Sequence, residues 1–192
     1  MITYKQIDET YLEQYDKIPM QTHVSSYYKI EKINNGLDGF NLIETEISPY
    51  IKNFCEDEND LVINWAKEFD TSNWAFFMAF DSEVPVGGAA IASRTKGINM
   101  LSKRNDLAVL WDIRVAETYK NQGIGKELFN MARNWSKNQG LIQMKIECQN
   151  TNVSACKFYH SLGAVLSVID EYAYYNEPKY KHETMFIWFL EI

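Results

Sequence analysis

Two glycines one residue apart, Gly123 and Gly125, stand between two apolar patterns of different period. Upstream, Leu107-Ala108-Val109-Leu110-Trp111-Asp112-Ile113-Arg114-Val115 has the length of a buried strand. Downstream, Leu128, Phe129, Ala132 and Trp135 recur as one face of an amphipathic helix. The segment Tyr119-Lys120-Asn121-Gln122-Gly123-Ile124-Gly125-Lys126 therefore turns a strand into a helix. The first turn of a helix leaves backbone N–H groups unpaired and carries partial positive charge. A residue without a Cβ lets an anion approach those groups closely. The chemistry on offer is the binding of a phosphate-bearing ligand, although a plain turn at a helix start would use the same two glycines.

A second constellation decides between those readings. Within Glu147-Cys148-Gln149-Asn150-Thr151-Asn152-Val153-Ser154-Ala155-Cys156-Lys157-Phe158-Tyr159-His160-Ser161-Leu162-Gly163, the residues Asn152, Ala155, Phe158, Tyr159 and Gly163 follow the glycine turn in a fixed order. Here the chain resembles the GCN5-related N-acetyltransferase (GNAT) superfamily. That superfamily carries (Arg/Gln)-x-x-Gly-x-(Gly/Ala), then a strand, then Asn-x-x-Ala-x-x-Phe-Tyr-x-x-x-Gly. The second pattern is complete, and the first departs only at Lys120, which keeps the charge of arginine without its planar fork.

The resemblance implies an α/β (mixed α+β) three-layer sandwich. Its central sheet is mixed, mostly antiparallel and splayed at an acetyl-CoA cleft, with helices on both faces. It implies acetyl-CoA as co-substrate, its pantetheine arm pairing with the edge of Asp112-Ile113-Arg114-Val115. The pyrophosphate is then expected on backbone N–H groups from Gln122 through Gly123, Ile124 and Gly125 to Lys126. Lys120, Asn121, Ala155 and Phe158 complete the cofactor set. Asn152 is read either as a donor to the pantetheine arm or as the N-cap of the following helix, a place that suits asparagine equally well.

Acetyl transfer to an amine requires that the amine lose a proton, that the oxyanion meet donors, and that the leaving thiolate gain a proton. Tyr159 takes the last role by its family position, since a phenol is a donor at neutral pH; the alternative is an aromatic packed in the core beside Phe158. The N–H of Ile113 or Val115 is the candidate oxyanion donor. Asp112 and Glu147 lie at matching places on two strands and are candidates for the base, or for binding a positive substrate. Asp112 ranks first, because a carboxylate after Trp111 in an apolar strand is costly to bury without purpose.

A narrower likeness concerns the acceptor. The run Ala155-Cys156-Lys157-Phe158-Tyr159-His160, the segment Glu171-Tyr172-Ala173-Tyr174-Tyr175-Asn176-Glu177 and the ending Phe186-Ile187-Trp188-Phe189 are similar to the streptothricin acetyltransferases. Those act on amines of a β-lysine-bearing antibiotic, which makes antibiotic resistance one implied role. Lysine plus arginine number 19 and aspartate plus glutamate 26, a net charge of −7. That balance disfavours nucleic acid and anionic membrane as partners and suits a small cationic amine. Competing readings are a protein N-terminal or lysine acetyltransferase and a regulatory module that binds acyl-CoA without turnover. A nucleotide phosphotransferase is excluded, as no Gly-x-x-x-x-Gly-Lys-(Ser/Thr) run exists.

The elements that must position these residues fit one domain over 1–192, with 1–73 as a variable acceptor-side portion and 74–192 as the acetyl-CoA-binding core. A length of 192 residues and a hydrophobic share of 46% suit such a domain. The pattern predicts a strand over 2–5, a helix over 9–15, and a hairpin of strands 27–33 and 40–47 around Asn34-Asn35-Gly36. Pro49 is expected to begin an irregular stretch. The acidic run 56–60 reads as a solvated helix entrance, since Leu61, Trp65 and Phe69 follow at helical spacing. Strands are expected at 74–80 and 86–93, with 81–85 a turn and Gly87-Gly88 a candidate bulge. Then come the strand 107–115, a helix 123–137 stopped by Gly140, a strand 142–148, a helix 152–162, and an antiparallel pair 165–172 and 184–190. Cys55, Cys148 and Cys156 read as reduced thiols, and the three scattered histidines suggest no metal. With no apolar span or leader in view, the expectation is a cytoplasmic monomer or homodimer.

Overall fold

A computed structural model of the chain describes residues 1–54 and 61–192. The elements are β1 (Ile2–Ile7), α1 (Leu12–Tyr15), β2 (Gln21–Ile33), β3 (Gly39–Asn53), α2 (Trp65–Glu68), β4 (Ala75–Asp81), β5 (Val84–Ser93) and β6 (Leu107–Val115), followed by α3 (Ile124–Asn138), β7 (Gln143–Gln149), α4 (Val153–Ser161), β8 (Val165–Asp170) and β9 (Met185–Glu191). Seven strands hydrogen-bond in the order β1-β4-β5-β6-β7-β9-β8, and β2 with β3 form a separate ribbon. β1–β4, β4–β5, β5–β6 and β8–β9 pair antiparallel, and β6–β7 pairs parallel. The sheet is thus mixed and mostly antiparallel, as the resemblance implies. Among the described residues no helix is long and apolar enough to cross a membrane.

The chain divides into two compact units, one of residues 1–21, 53–146 and 190–192, the other of 22–52 and 147–189. In the first, β4 and β5 are buried over nearly their whole length, so their apolar residues run on instead of alternating. Two adjacent glycines on β5 show what covers each face. A Cβ on Gly87 would lie 3.0 Å from Leu128 and 3.1 Å from Ile124 of α3, whereas one on Gly88 would lie 2.5 Å from the Tyr15 ring of α1. Successive strand residues point to opposite faces, so α1 and α3 cover opposite sides of β5, as expected.

The bulge falls one residue from its expected place. Ala79 pairs with Gly87 but Phe80 with Pro85, leaving Val86 as the extra residue. Pro85 has no N–H to give a ladder and is tolerated beside such an irregularity. A second, unanticipated bulge lies on β6: Ala90 pairs with Asp112 and Ile91 with Leu110, so Trp111 has no partner on β5. Its indole packs among Trp65, Phe69 and Trp74 at ring separations of 6.5, 5.3 and 5.2 Å.

The acidic run 56–60 lies outside the described residues. The helical spacing after it yields only a 3-10 turn, Val62–Asn64, and the single turn of α2. Phe69 is extended, and the Asp70 carboxylate accepts from the N–H of Ser72 at 3.0 Å, starting a new turn instead. The predicted helix over 9–15 likewise splits, into the 3-10 turn Glu9–Tyr11 capped by Asp8 and the short α1.

In the second unit, Asn34, Asn35 and Gly36 all have positive φ, the backbone that asparagine and glycine tolerate best, and they close the β2–β3 ribbon. β3 does not end at Pro49 but continues to Asn53. A two-stranded ribbon has outer edges that need no N–H, which is where proline fits. Buried Asn150 uses every polar group it has. It exchanges bonds with Tyr28 (2.9 and 3.0 Å) and with Thr184 (2.9 Å each way), tying together β2, the end of β7 and the residue before β9.

Candidate active site

In the first unit the site is built on the last turn of β6 and the start of α3. The β6–β7 ladder runs from Leu107↔Gln143 to Leu110↔Ile146 and registers no pair beyond. On the other side, Asp112, Ile113, Arg114 and Val115 stay paired with β5. The N–H of Ala116 donates to Val86 at 2.9 Å, so N–H groups at even positions here point toward β5. By the alternation of a strand, those of Ile113 and Val115 point to the opposite edge. That edge is where an extended ligand arm could add as a strand.

After the 3-10 turn Glu117–Tyr119, Asn121 and Gly123 take positive φ of 63° and 84°, and Gly123 is the N-cap of α3. No side chain caps that end, and a Cβ on Gly123 would meet nothing within 4 Å. Among the described residues the first-turn N–H groups of Ile124, Gly125 and Lys126 thus have no side-chain cap, and the partial positive charge of a fifteen-residue helix stands behind them. Buried Ile124 anchors this end against Gly87. Gln122 donates back to the Thr118 carbonyl at 3.1 Å, and Lys120 pairs with Glu117 and donates to the Gln21 carbonyl at 2.9 Å. Lys120, the one departure from the superfamily pattern, spends its ammonium on the protein.

Asp112 has a structural reason for its burial. It is 6% exposed and Arg114 5%. The guanidinium forks onto the carboxylate, Nε to Oδ1 at 2.9 Å and Nη2 to Oδ2 at 2.6 Å. Tyr15, fully buried, donates its hydroxyl to Oδ1 at 2.7 Å. Burial first, then the Asp112 charge, push the Tyr15 phenol well above its ordinary range. Arg114 also donates to the Ile18 carbonyl at 3.3 Å, so a charge-assisted pair pins α1 and its exit to β6. Neither Tyr15 nor the Arg114 side chain was visible as part of this arrangement from sequence.

In the second unit, Asn152 caps α4. Its Oδ1 accepts from the N–H of Ala155 at 3.2 Å and from the Ser154 hydroxyl at 3.0 Å. That cap leaves the Asn152 amide nitrogen as the group able to donate to a ligand. Tyr159 is buried on the same helix, its ring 5.5 Å from that of half-buried Phe158. Glu147 lies on the half-exposed face of β7, with Cys148 on the buried face. The Sγ atoms of Cys148 and Cys156 are 3.5 Å apart, far beyond a disulfide length, so both are free thiols. Glu147 accepts from the Tyr174 hydroxyl at 2.7 Å. Of the aromatic run, Tyr172 and Tyr175 are 74% and 73% exposed, and Tyr174 alone turns inward.

The model of the Acetyltransferase (GNAT) family matches residues 40–164. The chain belongs to the GNAT family of acetyltransferases. This GNAT acetyltransferase is 28% identical over 152 residues to the streptothricin acetyltransferase of Escherichia coli, covering 79% of this chain and 76% of that one. It is 26% identical to streptothricin acetyltransferase A of Bacillus subtilis, covering 73% of each. Among solved structures its fold is that of a Bacillus anthracis protein described as a candidate streptothricin acetyltransferase and solved with acetyl coenzyme A (22% identity, TM-score 0.77, all of both chains). A nourseothricin acetyltransferase has the same fold (19% identity, TM-score 0.77, 99% of this chain and 98% of that one). As a GNAT member with such relatives, it is an N-acetyltransferase.

Proposed function

We propose that the enzyme moves an acetyl group from acetyl-CoA to a primary amine of a small polycationic molecule, streptothricin being the first to test. The glycine turn and the start of α3 would hold the pyrophosphate, the open edge at Ile113 and Val115 the pantetheine arm, and Asn152 one of its amides. The observation that carries the acceptor side is the contrast between two carboxylates. Asp112 has its charge matched by a buried guanidinium, whereas the partner found for Glu147 is a neutral phenol. A carboxylate already neutralised attracts no ammonium, so Glu147 moves ahead of Asp112 as the group that meets the acceptor.

In this reading Glu147 takes one proton from the ammonium, directly or through water. The amine nitrogen bonds to the acyl carbon, the carbonyl oxygen drawing on the N–H of Ile113 or Val115, and the C–S bond breaks. Tyr159 gives its proton to the departing thiolate and regains one from the acetylated nitrogen. The relatives named streptothricin acetyltransferases support the acceptor class.

Thiol release from acetyl-CoA, followed with streptothricin, spermidine, kanamycin and a peptide bearing a free N-terminus, tests the reading. Turnover of a polycation well above that of the peptide is the expected result, with the acceptor KM rising with salt as screening weakens its attraction. Preference for the peptide would make the enzyme a protein acetyltransferase, and binding of acetyl-CoA without turnover of any amine would make it a regulatory module.

A further inference from the structure

Glu147 and Gln149 are two apart on β7, hence on one face of the strand and roughly 7 Å apart along it. A single tyrosine bridges them. Tyr174 donates its hydroxyl to Glu147 Oε1 at 2.7 Å and accepts from Gln149 Nε2 at 3.3 Å. The directions follow from the chemistry: an ionised carboxylate only accepts, so the phenolic proton goes to Glu147 and the phenolic oxygen is left to accept from the amide.

The segment carrying Tyr174 is itself well tied. The N–H of Glu177 donates to the Tyr174 carbonyl at 2.9 Å, and those of Tyr180 and Lys181 to the Glu177 carbonyl at 2.9 and 2.8 Å. The Tyr180 ring meets that of Tyr174 edge-on at 6.5 Å. Its face covers the Lys52 ammonium at 4.7 Å, and Lys52 is in turn paired with Glu183. Burial first, then the Glu147 charge, push the Tyr174 phenol up, so it stays a protonated donor at neutral and moderately alkaline pH.

We propose that Tyr174 is the positioning residue of the acceptor carboxylate: its hydroxyl, oriented by Gln149, fixes one oxygen of Glu147 so that the other meets the ammonium of the incoming amine. This rests on the assignment of Glu147 to the acceptor side. A carboxylate at the end of a flexible side chain loses rotamer freedom each time it binds. Holding it beforehand lowers that cost and keeps the attacking nitrogen in line with the acyl carbon.

A double-mutant cycle on the intact enzyme, with streptothricin as acceptor and the polyamine and aminoglycoside as further probes, tests the assignment. Tyr174→Phe keeps the ring and removes only the hydroxyl. It is expected to lower acceptor kcat/KM about tenfold to a hundredfold, the effect of a hydrogen bond to a charged group, with the acetyl-CoA KM unchanged. Gln149→Met should give a smaller loss of the same kind and serves if the first variant folds poorly. On a Glu147→Gln background, Tyr174→Phe should add nothing, because a residue acting through Glu147 has nothing left to act on. Full additivity, or a Tyr174→Phe enzyme within twofold of wild type beside a severe Glu147→Gln defect, overturns this proposal and leaves the role of Glu147 standing. A Glu147→Gln enzyme of normal activity, or no turnover of any cationic amine, removes the acceptor-side reading itself and this proposal with it.

Discussion

Arg114 and Asp112 are two residues apart on one strand, and the guanidinium closes onto the carboxylate at 2.6 Å with both nearly excluded from water. Removing one partner strands the other charge in the core. Arg114→Met should therefore lower the unfolding free energy by about 3–5 kcal/mol, read from urea denaturation, whereas pairs of this kind replaced on both sides by apolar groups often lose little. Arg114→Met combined with Asp112→Leu should recover part of the loss.

Alkaline pH should expose the phenol that completes this arrangement. Within the fold Tyr15 keeps its proton above the ordinary phenol value of 10.0, because of burial and then the charge of Asp112. Folding that raises a pKa is favoured in full below the unfolded value and progressively less as pH rises past it. The urea midpoint should hold between about pH 8 and 10 and fall above that. Tyr15→Phe should begin lower and fall less steeply, the Tyr174 phenol accounting for part of the residual slope. An unchanged slope in Tyr15→Phe would place the alkaline transition elsewhere.

At the start of α3, Gly125→Glu would set a carboxylate among N–H groups suited to an anion. Acetyl-CoA affinity, measured by calorimetry on a variant with normal thermal unfolding, should fall by about 3 kcal/mol, comparable with leaving a charge unpaired. Equal affinity in the folded variant would move the pyrophosphate away from this turn.

Tyr159→Phe removes one oxygen from a buried ring. If that hydroxyl protonates the thiolate, kcat should drop by roughly 10²–10⁴ while acetyl-CoA still binds. A turnover number within twofold of wild type would assign Tyr159 to packing alone.

The parts legible in the sequence are those that local chemistry determines. β6 spans the residues its apolar run marked out, Gly123 takes the positive φ a side chain would resist, and α4 begins where its asparagine can cap it. The parts that were not legible depend on distant partners. Tyr15 meets Asp112 across 97 positions, and no spacing rule links them. Asp112 carries no mark in the sequence of its guanidinium partner, since Arg114 stands two residues on in the same strand and the fork forms only in the fold. Tyr174 was indistinguishable from Tyr172 and Tyr175 until the loop showed which ring turned inward. Pro49 looked like a stop because proline is disfavoured in a paired interior, and the ribbon has outer edges.

The unpaired Trp111 acts on β6 as a frameshift acts on a message. Before it, odd positions such as Val109 look toward the face of the sheet that holds α1; after it, even positions do, and Asp112 and Arg114 fall on that side. Side-chain direction and N–H direction are coupled in a strand, so with Asp112 and Arg114 on that side Ile113 and Val115 offer their N–H groups to the unpaired edge. Deleting Trp111 would join Leu110 to Asp112 in the register they already keep with Ile91 and Ala90, leaving the ion pair on its face and removing only the indole from its packing with Trp65, Phe69 and Trp74. The extra residue thus lets two consecutive side chains, an indole and a carboxylate, share one face of the sheet.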